Sequence, residues 1–225
     1  MKKILITSLL LLLVDKLSIK IAKKIDNSID IKNNPNIRWF FIHSISNTFV
    51  TYYSIPDLIT CLQDPYNIYK YNWNENSYNS FIISMLTHLY HIIFFKLTDN
   101  DKIHHLLMVI ISGSIEYYTK NIITSAGLFF VTGLPGAIDY FLLYLVKLNK
   151  ISKKSEKIIY IYLSAFIRSP GTCVVSVISL YNIKYYFTNN YIHGIMSLIS
   201  ALLLYWNGQY YSMISSIDYG KFIQK

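Results

Sequence analysis

Apolar residues run in long blocks along this chain, and polar residues gather in short breaks between them. Five blocks are long: Ile37 to Leu62, Ser80 to Leu97, Asn121 to Val146, Lys157 to Ile183 and Tyr191 to Ile217. A sixth, Ile103 to Tyr118, is shorter but bounded by polar turns. A helix crossing the ~30 Å hydrocarbon core of a membrane needs about 20 mostly apolar residues. The pattern therefore predicts an all-α, polytopic transmembrane helical bundle with six core spans. A seventh run, Ile4 to Val14, is half that length before Asp15 and Lys16 interrupt it. It reads as a signal-anchor, a tilted first span or an interfacial helix. Beyond it, Lys16, Lys20, Lys23 and Lys24 recur among Leu17, Ile19, Ile21 and Ile25, a basic amphipathic stretch suited to an anionic leaflet. Three segments follow: residues 1–36, apolar then basic; residues 37–217, the membrane domain; and residues 218–225, a tail.

Composition supports this class. Hydrophobic residues make up 53% of the 225 and charged residues 15%, against about 25% charged in soluble domains. The net charge of +9 comes from lysines in the short connections, so it points to a membrane surface and not to nucleic acid. Counted across alternate connections, seventeen Lys/Arg fall on one side and three on the other. By the positive-inside rule both termini are then cytoplasmic. If Ile4 to Val14 also spans, a seventh helix is added and the N-terminus moves outside. Cys61 and Cys173 lie in apolar blocks and read as buried small hydrophobes.

Ionisable groups inside a span are costly and normally face the bundle interior or a water-filled cavity. Here they fall mostly toward the cytoplasmic half. His43 and Asn47 share one helix face, as do Ser84, His88 and His91. Asp101, His105, Met108, Ser112 and Glu116 form a stripe, with His104 beside it. Asp139 follows Gly133-Leu-Pro-Gly136, Arg168 precedes Ser-Pro-Gly, and Asn207 and Gln209 sit in the last span. Arg168 is expected to pair with Asp139 or Glu116. His193 stands apart at the outer end. This convergence predicts a polar cavity open to the cytoplasmic side, lined by His43, Asn47, His88, His91, Asp101, Arg168 and Asn207. The competing reading is that these groups bond helices to one another.

The acidic segment Thr98 to Lys102 with the following His104-His105, and Gly133 to Lys147 with Asp139 on the next helix, resemble the TLC (TRAM–LAG–CLN8) domain family. Arg38-Trp-Phe-Phe-Ile-His43 with Asn47 is similar to a TLC first helix. The resemblance covers roughly residues 38 to 215. It implies a protein that binds, senses or modifies a membrane lipid, in the endoplasmic reticulum or another endomembrane. For a ceramide-synthase-like acyltransferase, it implies acyl-CoA as substrate and His104, His105 and Asp139 as catalytic residues. The chain departs from the synthases in offering Asp139 with no second carboxylate nearby, and in lacking the basic run before that motif. A small transporter is a further reading, since the two Pro-Gly segments suit broken helices. His88-x-x-His91 and His104-His105 are similar to the histidine clusters of membrane desaturases, but six histidines, one of them at the far face, assign no metal. The implied partner is a membrane lipid, with no cofactor. A homo-oligomer is left open.

Overall fold

The computed structural model describes residues 2–224, and the fold among them is all-helical, with no strand. Seven long helices follow one another. They are α1 (Lys2–Ile25), α2 (Asn36–Gln63), α3 (Glu75–Phe94), α4 (99–119), α5 (Ile122–Lys147), α6 (Lys153–Asn189) and α7 (Tyr191–Ile223). Each of the six long apolar blocks is a helix. Polar breaks end them where side chains take over backbone bonds. Asn74 and Ser77 form a capping box before α3, Thr98 and Asp101 form one before α4, and Asn190 caps α7. The last helix runs past residue 217 to Ile223, so much of the expected tail continues it.

Helices α5 and α6 are long and apolar enough to cross a membrane, with mean hydropathy 1.6 and 1.5. The six-span expectation is thus met on composition by two helices. The others carry His, Asn, Ser and Tyr on their inner faces, which lowers their averages. Many large apolar side chains lie outside, while the interior holds both apolar clusters and many polar groups. Large apolar groups point outward, among them Leu9, Phe49, Ile93 (69% exposed), Phe166 (71%) and Leu202. Eight serines and threonines are fully enclosed, and Asn47, Asn182 and Asn207 are buried as well. Buried serines bond one helix to the next: Ser44 Oγ donates to the Ala137 carbonyl (3.0 Å), Ser80 Oγ to Ser125 Oγ (2.9 Å) and Ser176 Oγ to the Ala201 carbonyl (3.0 Å). Small polar side chains let backbones approach closely and hold them there.

Helix α1 is part of the bundle. Its 24 residues span about 36 Å at 1.5 Å per residue. Lys3 donates to Glu75 Oε1 (2.7 Å) at the start of α3. Farther along, Leu11 packs on Ile42 and Tyr90, and Ala22 packs with Ile37 and Leu148. Midway, Asp15 is buried and accepts from Arg38 Nε (2.7 Å), Arg38 Nη2 and Tyr90 Oη (2.7 Å). At the other end of the bundle Lys157 pairs with Asp218. The first described helix therefore starts at the end opposite to that where the last one finishes.

Three helices change pitch. In α4, α5 and α6, residues His105–Ser112, Phe129–Gly133 and Ser164–Arg168 form wider π turns, with i→i+5 bonds. Two of them end two residues before a proline, Pro135 and Pro170. Proline has no N–H to give the carbonyl four residues back. The Pro-Gly segments expected to break helices instead loosen continuous ones, and the freed carbonyls become available to other groups.

Candidate functional site

A cavity of about 310 Å³ lies along the bundle axis, lined by side chains from α2 through α7. One end is marked by Asn100 and Asp101 at the start of α4, beside the lysine-rich connections; Asn100 is exposed there. The cavity reaches Glu116 and Thr124 toward the opposite end. It is longer than the half-depth pocket expected from the sequence.

Of the expected lining residues, His43, His88, Asp101, Arg168 and Asn207 face it, and so do His104 and Asp139. Three do not. Asn47 Oδ1 accepts from Thr132 Oγ1 (2.9 Å), and the residue packs against Gly136. His91 stacks on Trp39, with ring centroids 3.5 Å apart. His105 is 5% exposed and turns its ring between His88 and His91. These three hold helices together. The π turn explains the loss of His105. On an α-helix, Asp101, His105, Met108 and Ser112 share a face. The wider turn advances the register, so His104, Met108, Ser112 and Glu116, each four apart, line the cavity instead.

Five histidines cluster near the Asp101 end. Ring centroids are 5.6 Å apart between His43 and His88, 5.8 Å between His88 and His104, and 5.2 Å between His91 and His105. His88 Nδ1 lies 2.8 Å from the Ser84 carbonyl, and His105 Nδ1 bonds the Asp101 carbonyl. A carbonyl only accepts, so both carry the proton on Nδ1 and leave Nε2 as the acceptor in the neutral ring. Among the described residues, no three His, Cys, Asp or Glu side chains are arranged to hold a metal. His104 Nδ1 and Tyr211 Oη are hydrogen-bonded at 2.9 Å. His193 sits at the other end, stacked on Tyr186.

Arg168 pairs with neither Asp139 nor Glu116. Its Nη1 donates to Tyr160 Oη (3.0 Å) and its Nη2 to the Val131 carbonyl (2.8 Å). That carbonyl is the one that Pro135 cannot serve. Its guanidinium also lies 5.4 Å from the Tyr211 ring centroid. Arg168 Nε, Asp139 Oδ1 and both amide atoms of Asn207 are buried without a partner among the described residues. Glu116 Oε1 accepts from Ser112 Oγ (2.9 Å).

Tyr140 and Tyr160 line the cavity, and so does Tyr211, which the sequence does not single out. Its spacing of four from Asn207 was the available signal. Taken together, the cavity offers one fixed cation, unpaired carboxylate and amide groups, and histidines that can take or give protons. No family model, no curated protein and no solved structure matches the chain.

Proposed function

We propose that this chain is a multi-pass membrane protein of TLC-like type whose axial cavity takes the polar head of a membrane lipid. One observation carries the reading: among the described residues, unpaired polar groups of His43, Asp139, Arg168 and Asn207, from four helices, border an internal cavity, in a bundle with many large apolar side chains on its outside. In hydrocarbon such groups cost several kcal/mol each unless something satisfies them. A lipid head satisfies them while its chains remain among apolar side chains. The lysine-rich connections support a cytoplasmic setting for the Asp101 end of the cavity.

His104, facing the cavity that Asp139 also lines, favours a second reading, an acyltransferase using acyl-CoA. His104 would serve as general base toward an amine, held in place by Tyr211. The departure at His105, which does not reach the cavity, leaves one histidine of the pair for this chemistry.

Lipid mass spectrometry on gently purified full-length protein tests the first reading. We expect one lipid class at close to one molecule per chain, and its loss when Ser200→Phe fills the cavity wall. Equal lipid content in the two proteins would count against a cavity site. The same preparation, supplied with acyl-CoA and a labelled long-chain amine, tests the second. An amide product that disappears with His104→Gln supports it, and no product removes it.

A further inference from the structure

We infer that the cavity is built for a zwitterionic aminophosphate head, with the phosphate at Arg168 and the ammonium at Asp139. This rests on the lipid-site reading above and names the chemistry of its ligand.

A fixed guanidinium inside a membrane bundle needs a counter-charge, because burying an ion without one costs several kcal/mol. Among the described residues no carboxylate lies within ion-pair distance of Arg168. Its two bonds go to a phenol and a carbonyl, both neutral. These bonds orient the fork and leave Nε directed at nothing. Arginine's planar fork matches phosphate oxygens bidentately. Arg168 is 8% exposed, so a phosphate reaching it leaves water behind and gains the full strength of the contact.

Asp139 presents the complementary need. Among the described residues its carboxylate accepts no hydrogen bond, and Oδ1 is buried. An ionised carboxylate is acceptor-only, so its partner must donate, and a primary ammonium has three N–H groups to give. Asn207 adds an amide with both atoms free, able to donate to one part of a head and accept from another. A ligand with an anion alone would set a like charge near Asp139. A neutral head would bring neither of them a direct charge partner. An aminophosphate serves both at once. The cavity, about 310 Å³, is at the small end of ligand sites, which run ~300–1,000 Å³, and suits a head without its chains.

The head can belong to a phospholipid or to a free aminophosphate, and the experiment separates them. Delipidated full-length protein in detergent is offered equimolar phosphatidylethanolamine, phosphatidylglycerol and diacylglycerol with identical chains, and retained lipid is read by native mass spectrometry. A second arm offers O-phosphoethanolamine alone. We expect phosphatidylethanolamine to be retained about tenfold or more over the other two, since a hydrogen bond to a charged group contributes ~1.5–3 kcal/mol and tenfold is ~1.4 kcal/mol. Arg168→Gln should lower retention of both phospholipids about tenfold by the same conversion, and Arg168→Lys should restore part of it. Asp139→Asn should erase the preference for phosphatidylethanolamine over phosphatidylglycerol. If Arg168→Gln does not fold, the lysine and Asp139 variants carry the test. Binding of O-phosphoethanolamine with no lipid retained would support the head chemistry and remove the lipid source. Phosphatidylglycerol or diacylglycerol held as tightly as phosphatidylethanolamine, and lost with Ser200→Phe, would overturn the aminophosphate while the lipid site stands. Retention unaffected by Ser200→Phe would overturn both.

Discussion

Asp15→Leu is expected to destabilise the folded protein by roughly 3 kcal/mol, because it leaves Arg38 with a buried charge and no partner. Breaking a buried pair from one side typically costs ~3–5 kcal/mol. The lower end applies because the Arg38 side chain keeps 28% of its exposure while that of Asp15 keeps 9%. Tyr90 also loses its acceptor. The contact ties α1 to α2 and α3 at once, so the same variant should release α1 from the bundle, seen as faster protease cleavage between residues 26 and 35. The double variant Asp15→Leu with Arg38→Leu removes both charges and should recover most of the stability, as apolar replacements of buried pairs do. Unfolding titrations in detergent on wild type, both single variants and the double variant measure this. Additive losses in the double variant would show that the pair does not hold α1.

The second large effect is expected at Gly208, on the α6–α7 interface. A Cβ built there collides with Thr172 Oγ1 and comes within 2.9 Å of Thr172 Cβ. Thr172 is fully buried and its hydroxyl donates to the Ser169 carbonyl (3.0 Å). It is β-branched, so its rotamers give little relief. Gly208→Ala must push the helices apart or turn Thr172 out of its bond, at about 1–3 kcal/mol for overpacking. Thr172→Ala in the same chain removes the colliding oxygen and should return part of the loss. Gly171 sets a similar limit against the Phe130 ring, so Phe130→Ala should relieve Gly171→Ala but leave Gly208→Ala unchanged. Retention of folded protein after heating in detergent ranks these variants. Tolerance of Gly208→Ala alone would mean that α6 and α7 pack less closely than described.

The sequence made the helices legible because their apolar blocks are long and their ends carry capping residues. It made the convergence of His43, His88, His104, Asp139, Arg168 and Asn207 legible because spacing of three and four marks a helix face. It hid helix α1. Ile4 to Val14 is too short to span alone, and Asp15 looks like a terminator. What keeps that helix in the bundle is the bond from Asp15 to Arg38 and Tyr90, which is remote in sequence. It also hid the exchange of His105 for His104. The stripe assumed one pitch throughout, and nothing local in His105–Ser112 announces a π turn. The partner of Arg168 was misread for a related reason. Charge complementarity pointed to Asp139 or Glu116. The backbone carbonyl freed by Pro135 took the contact, and a proline's effect four residues upstream is visible only once the helix is known to continue through it.

The account turns on a membrane-crossing bundle whose cavity opens at the Asp101 end. Single cysteines at Asn76, Asn100 and Thr124, in a chain with Cys61 and Cys173 replaced, test it with a membrane-impermeant thiol reagent on sealed vesicles of known orientation. The expected result is labelling of position 76 from one face, of position 100 from the other, and of position 124 only from the face that labels position 100. Labelling of positions 76 and 100 from the same face, or of position 124 from the face that reaches position 76, would contradict it.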